Sequence, residues 1–513
     1  MTTSLTKGTR TSRAIAGMLT SILQYALLMV LQFLLAPVVL KYAGQEALGS
    51  YSFLMQIISW AALTDLGFGV ATGRNLAQAH GIDDQRKLFS SVFTTGRTFY
   101  LGSNLAFAIV VLLIGWKVNS FMTMSYGIET QARLSLFLLA IWIAVRTPLS
   151  LYGDALIATQ NLASSNVIVA LSNTLRLLLS LSLILMKTGL VGLMMAYIIA
   201  EAFTLTVQRM WYYRLYRNDK FGWGIPDRVL FKEMLKFGFT YMVMIVAGRL
   251  SLSTDSIIIG YLQGAAAISI YYVTQMPATF VYQFIWRFAD NAVPALNELY
   301  AKRALPQLSD VYLRLLRYSI LAIIPLAIGI VGFNRIVISL WVGKVQYAGE
   351  FFSIALAFFA ITQVINHLNA LVMVVFGAVR PMAIFGLCGG VLKVSLAFWL
   401  GRIIGLPGVM RANTLLDVPV LIYFSYLSWH LLELPIRQVW QHALLPTLPV
   451  CIMTLLLLIV QLIRPLAETL PELFFWISLY AFIWILGTIA FGLVQSERDN
   501  IRFYIKRTFA LVK

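Results

Sequence analysis

Apolar residues in this chain fall in solid blocks of about twenty, separated by short polar links, without the alternation that marks a half-buried strand. The blocks predict helices over approximately 15–40, 48–71, 89–114, 131–153, 166–186 and 189–211. After a basic link they resume over approximately 237–262, 266–293, 312–334, 351–376, 382–404 and 408–431, and two more close the chain at 441–463 and 472–494. A block of about 20 residues crosses the roughly 30 Å of bilayer hydrocarbon as helix, whereas an outer-membrane barrel would alternate weakly. The expected fold is therefore an all-α polytopic membrane protein with about 14 transmembrane helices.

The pattern also repeats. With a shift of 220 positions, Gly44 falls on Gly264, Ala47 on Ala267, Tyr51 on Tyr271 and, one helix later, Arg97 on Arg317. Further on, Gly189-Leu190-Val191-Gly192 is echoed by Gly405-Leu406-Pro407-Gly408, with the offset slipped to 216. A fixed period this long points to a duplicated bundle. Six helices per copy is an even number, so both copies enter the membrane from the same side and form parallel repeats. The domain plan that follows is a first lobe at 1–212, a basic linker at 213–236, a second lobe at 237–432, and two further helices with a basic tail at 433–513.

Composition sharpens this picture. Of 513 residues, 60% are hydrophobic and 12% charged, about half the charged fraction of an ordinary soluble domain. The net charge of +18 is spread through the links between spans, the signature of a positive-inside bias and not of a nucleic-acid surface. The same bias puts both termini in the cytoplasm. Cys388 and Cys451 lie in apolar runs, so neither a disulfide framework nor a metal cluster is expected. The first run, Ile15 to Leu40, is too long for a cleavable leader.

Charges inside the apolar runs carry the candidate chemistry, because a charge at mid-bilayer costs roughly 3 kcal/mol on insertion scales and such groups usually face an internal cavity. Arg146, Arg249 and Arg287 are the candidate ligands for a cargo phosphate. Arg146 has Pro148 just beyond it, where freed carbonyls can line a cavity. Arg249 precedes a polar run, Ser251, Ser253, Thr254 and Asp255. Asp65, Asp255, Asp290, Asn366, His367 and Lys393 are candidate lumen or coupling groups. Arg287 and Asp290 stand three apart, a spacing that also allows a plain ion pair. Asn366 falls 220 after Arg146, within the polar set Gln363, Asn366, His367 and Asn369. Arg97, Arg176, Lys393 and Asp417 lie nearer span ends, where they either snorkel to the interface or face inward. Glu201 is deep, and one acid there can be satisfied by a neighbouring helix.

Enzyme signatures fail. Gly67-Phe68-Gly69 with Gly73 has the wrong spacing for a dinucleotide loop and follows no strand, and no P-loop is present. Asp83-Asp84 sits in a short link without a domain to house metal chemistry, and four scattered histidines suggest no triad. Neither enzymatic activity nor a cofactor is expected. Gly386 and Gly390 read as close helix packing.

The N-terminal passage resembles the polysaccharide-transporter branch of the multidrug/oligosaccharidyl-lipid/polysaccharide exporter superfamily. The resemblance is carried by Ala36-Pro37, Lys41-Tyr42-Ala43-Gly44, Glu46, Leu48-Gly49, Tyr51 and Thr64-Asp65-Leu66-Gly67-Phe68-Gly69. It implies a MATE-like, V-shaped pair of six-helix lobes working by alternating access. It also implies an undecaprenyl-pyrophosphate-linked oligosaccharide as cargo, moved across the bacterial inner membrane for O-antigen, capsule or exopolysaccharide synthesis. The last two helices would supply a groove for the lipid tail, H+ or Na+ would drive the motion, and a polymerase is a conceivable partner. Other readings stay open at this stage: a drug or cation antiporter of the same superfamily, a lipid II flippase, or a membrane glycosyltransferase or polymerase. The excess of arginine over unpaired acid favours an anionic cargo, and the short outside loops argue against the enzyme.

Overall fold

A computed structural model describes residues 10–61, 68–80, 86–159, 161–215, 226–463, 469–495 and 497–498. These residues are almost entirely helical, with no strand among them. The first half comprises α1 (Arg10–Tyr42), α2 (Gln45–Trp60), α3 (Phe68–His80), α4 (Arg86–Trp116), the single turn α5 (Val118–Phe121), α6 (Tyr126–Val145), α7 (Thr147–Ala158), α8 (Leu162–Leu185) and α9 (Gly189–Leu215). Then come α10 (Arg228–Leu252), α11 (Asp255–Gln263), α12 (Ala265–Ala301), α13 (Leu305–Trp341), α14 (Glu350–Val375), α15 (Val379–Ile404) and α16 (Leu406–Leu431). The short α17 (Ile436–Val439) leads through one π turn into α18 (Leu448–Ile463), and α19 (Leu470–Gly487) ends in another. Among the described residues, 11 helical spans are long and apolar enough to cross a membrane. The helices α12 and α16, of 37 and 26 residues, are long enough but more polar, and α2 and α3 bracket 62–67. This helix plan matches the expected multi-pass bundle.

The chain parts into two compact units, residues 1–272 with 383–409, and residues 273–382 with 410–513. In the first, α1 packs on α8, α8 on α9, α4 on α6 and α3 on α10. Its aromatic core gathers Phe68, Phe93, Tyr152 and Tyr212, each nearly inaccessible. In the second, α13 packs on α14 and α18, around Leu308, Tyr312, Leu316, Leu368 and Val439. Leu and Ile exposed along the outer faces, such as Leu23, Ile109, Leu178 and Ile422, are what lipid-facing helices require.

The duplication seen in the sequence reappears in the backbone. Gly44 leads into α2 at φ 89°, ψ 172°, and Gly264 leads into α12 at φ 84°, ψ −179°. Side chains are strained in that region, which is why the echoed position is glycine both times. The two copies of the turn also touch within the first unit. The Gln45 amide donates to the Ala266 carbonyl at 3.2 Å, and a Cβ on Gly49 would run into the Ala265 carbonyl oxygen. Gly189 (φ 60°) and Gly405 (φ 68°) repeat the device at the starts of α9 and α16.

Candidate functional site

Two spans expected to be continuous are broken next to arginines. The span over 131–153 bends at Arg146, which ends α6 and precedes Thr147-Pro148 at the start of α7. Proline has no N–H to donate back and clashes with the preceding turn, so the helix axis must yield there. The break is buttressed by Asn104 of α4, whose amide donates to the Thr147 hydroxyl at 3.1 Å. The span over 237–262 breaks at Ser253 and Thr254, just after Arg249. There the Trp60 indole donates to the Ser253 carbonyl at 2.7 Å, and the Ser256 amide donates to Gln56 at 3.2 Å. Side chains of α2 thus satisfy backbone groups that the break frees.

Arg146 is paired. Its Nη1 lies 2.5 Å from Oε1 of Glu201 on α9, while the Trp142 indole donates to Glu201 Oε2 at 2.6 Å. The Tyr197 hydroxyl, one turn away on α9, also sits against Glu201, and Arg176 of α8 lies within electrostatic reach of Tyr197 and of Tyr272. Arginine and glutamate side chains keep 18% and 20% of their surface accessible, so the pair borders open space. The Arg146 Nε is buried with no hydrogen-bond partner among the described residues.

Arg249 is half-buried near the end of α10, and no acidic group lies within ion-pair distance of it among the described residues. Gly386 and Gly390 bring α15 against Ala247 and Leu250 of the same helix, as their spacing predicted. That approach delivers Lys393, buried at 3% exposure, to the Ser251 hydroxyl at 2.9 Å. Lys393 therefore points inward and not to the interface. Asp255 opens α11 on the far side of the break and accepts from the Tyr271 hydroxyl. Asp65 lies outside the described residues.

The remaining candidates belong to the second unit. Arg287 is exposed on α12. Asp290, one turn on, finds its partner on another helix: its Oδ1 lies 2.8 Å from His367 Nε2. The imidazole stacks on Trp286 with centroids 4.5 Å apart, and the Trp286 indole donates to the Gln363 carbonyl at 3.1 Å. Asn366 Oδ1 is buried without a hydrogen-bond partner. The polar set of α14 is shared out among three neighbouring helices, His367 meeting α12 while Gln363 and Asn369 meet α13 and α16. Gln363 donates to Asp417 of α16 at 2.8 Å, and Asn369 accepts from Tyr312 of α13 at 2.7 Å and donates to Ser425 of α16 at 2.9 Å. An apolar cavity of about 660 Å³ opens beside them, lined by Leu316, Ile320, Ile422, Trp429, Val439 and Leu444.

Sequence reasoning undervalued Glu201. Its signal was a lone acid at the middle of an apolar helix, but its partner lies 55 residues away on another helix, a distance no spacing rule reaches.

A family model described as "Polysaccharide biosynthesis protein" matches residues 14–300. No curated protein matches the chain by sequence. Among solved structures, the fold is similar to the lipid II flippase MurJ in an inward closed conformation. The identity is 14%, over 93% of this chain and 99% of that one, with a TM-score of 0.70. It is also similar to an inward-facing multidrug resistance MATE family transporter of the MOP superfamily, at 15% identity over 82% and 99%, with a TM-score of 0.63.

Proposed function

The chain belongs to the polysaccharide biosynthesis protein family, and on that premise we propose that it is a flippase for an undecaprenyl-pyrophosphate-linked oligosaccharide. It carries the repeat unit across the bacterial inner membrane by alternating access of two lobes, residues 1–212 and 237–432, with both termini in the cytoplasm and without catalysis. The observation that carries this reading is the part-accessible Arg146 at the break between α6 and α7, paired with Glu201 and keeping a guanidinium N–H that finds no partner among the described residues. A phosphate presents several oxygens in the plane that an arginine fork matches, and membrane arginine with spare donors is suited to receive it. On this reading Arg249 and Arg287 are further cationic ligands for the cargo phosphate. The apolar cavity beside α16 is of the right chemistry for a polyprenyl tail.

A cation-antiporter reading would need a deep acid waiting for a cation. Among the described residues, Glu201, Asp255, Asp290 and Asp417 each already hold a hydrogen-bond partner. The test is export in cells carrying Arg146→Ala, Arg249→Ala or Arg287→Ala, with protein levels measured alongside. The reading expects surface polysaccharide lost at normal protein level; normal export in all three would refute it.

A further inference from the structure

The ion pair at the break of α6 has the form of an occupied site. Glu201 lies mid-way along α9, about 18 Å from the start of that helix at 1.5 Å per residue. It is held on both oxygens, by Arg146 Nη1 at 2.5 Å and by the Trp142 indole at 2.6 Å, and the Tyr197 hydroxyl sits against it. Arg146 is not saturated in return: one of its N–H groups meets Glu201, and its Nε is buried with no partner among the described residues. An unmade buried hydrogen bond costs about 1–3 kcal/mol, and the deeply buried Arg317 also leaves its Nε unpartnered among the described residues, so what sets the Arg146 pair apart is its access to open space. That pair is half-made and 18–20% accessible.

We propose that Glu201 is an internal counter-anion that occupies Arg146 while the site is empty and is displaced by the phosphate of the cargo. The inference rests on the reading of Arg146 as a cargo-phosphate ligand and adds how that ligand is gated. A carboxylate offers one negative charge to the guanidinium. A pyrophosphate offers more charge and oxygens that also reach the orphaned Nε, so it wins the exchange, whereas a neutral glycolipid has nothing with which to displace Glu201. Once the cargo leaves, Glu201 returns and restores the pair, so binding never becomes so tight that release stalls. The exchange moves no covalent bond and needs no outside energy, because each anion replaces the other on the same cation.

The test uses the purified full chain and a short-chain polyprenyl pyrophosphate as probe, with export in cells as a second readout. Glu201→Gln keeps the shape and the indole hydrogen bond but removes the competing charge, so probe affinity should rise about tenfold while export falls. Trp142→Phe releases one tether of Glu201 and should shift affinity the same way by a smaller factor. A merely structural Glu201 would weaken binding when replaced, so the direction of the change decides. If both variants bind the probe no tighter than the parent while Arg146→Ala abolishes binding, the counter-anion idea is overturned and the arginine reading stands. If Arg146→Ala binds the probe normally, the arginine reading itself is wrong.

Discussion

Arg317 and Arg146 are two membrane arginines held in different surroundings. Arg317 is 4% accessible at its side chain, pairs with Glu497 beyond α19, and reaches the His442 carbonyl at 3.4 Å. Its echo in the first half, Arg97, is also buried, alongside Tyr152 and Tyr213. These positions tie helices together. Removing one member of such a buried pair leaves the other charge stranded, so Arg317→Ala should destabilise the protein by about 3 kcal/mol, read as lowered thermal stability in detergent. The Arg317 and Arg146 guanidinium groups both leave a buried Nε without a partner among the described residues, but Arg146 keeps 18% of its side chain accessible. Arg146→Ala leaves Glu201 held by Trp142 and Tyr197, so it should destabilise the protein less than Arg317→Ala does and abolish export. Arg146→Lys should restore export only in part, because lysine keeps the charge without the fork. Full restoration would mean that charge alone is read.

At the scale of elements, the paired turns bear the strain of the repeat. Gly44 has nothing within 4 Å of a would-be Cβ, whereas at Gly264 the Thr123 carbonyl oxygen would lie 2.9 Å away. Gly44→Ala should therefore cost roughly 1–2 kcal/mol from the positive φ alone, and Gly264→Ala more, since the same strain is joined by a clash. Melting temperatures of the two variants, compared side by side, check the order. These turns were legible in the sequence because a positive φ leaves glycine as its mark, and span positions were legible because hydrocarbon thickness sets run length. The break after Arg249 was not legible: Ser253 and Thr254 are ordinary helix residues there, and it is Trp60 and Gln56 of α2 that take up the freed backbone. Pro148 did mark its break, yet Pro277, Pro294, Pro325 and Pro419 sit inside continuous helices, so proline alone does not discriminate. The residue types of the candidate site were visible as charges in apolar runs. Their partners were not, because Glu201 meets Arg146 and Asp290 meets His367 through packing of helices distant in sequence.

For the whole molecule, three features converge: family membership, a multi-pass helical fold shared with lipid and drug transporters, and cationic groups inside the spans. Together they suit a protein that moves a bulky anionic glycolipid headgroup past hydrocarbon. Charge inside the membrane is costly, so its placement is where the chain commits to a class of cargo. On the proposed reading, arginine with spare donors would suit an anion, the deep acids Glu201, Asp255, Asp290 and Asp417 already holding hydrogen-bond partners. The most direct test is the leaflet distribution of the lipid-linked oligosaccharide in cells lacking this protein. The account predicts glycan trapped on the cytoplasmic face with surface polysaccharide lost, and recovery with the parent chain but not with Arg146→Ala. Normal surface polysaccharide, with the glycan reaching the periplasmic face unaided, would contradict it.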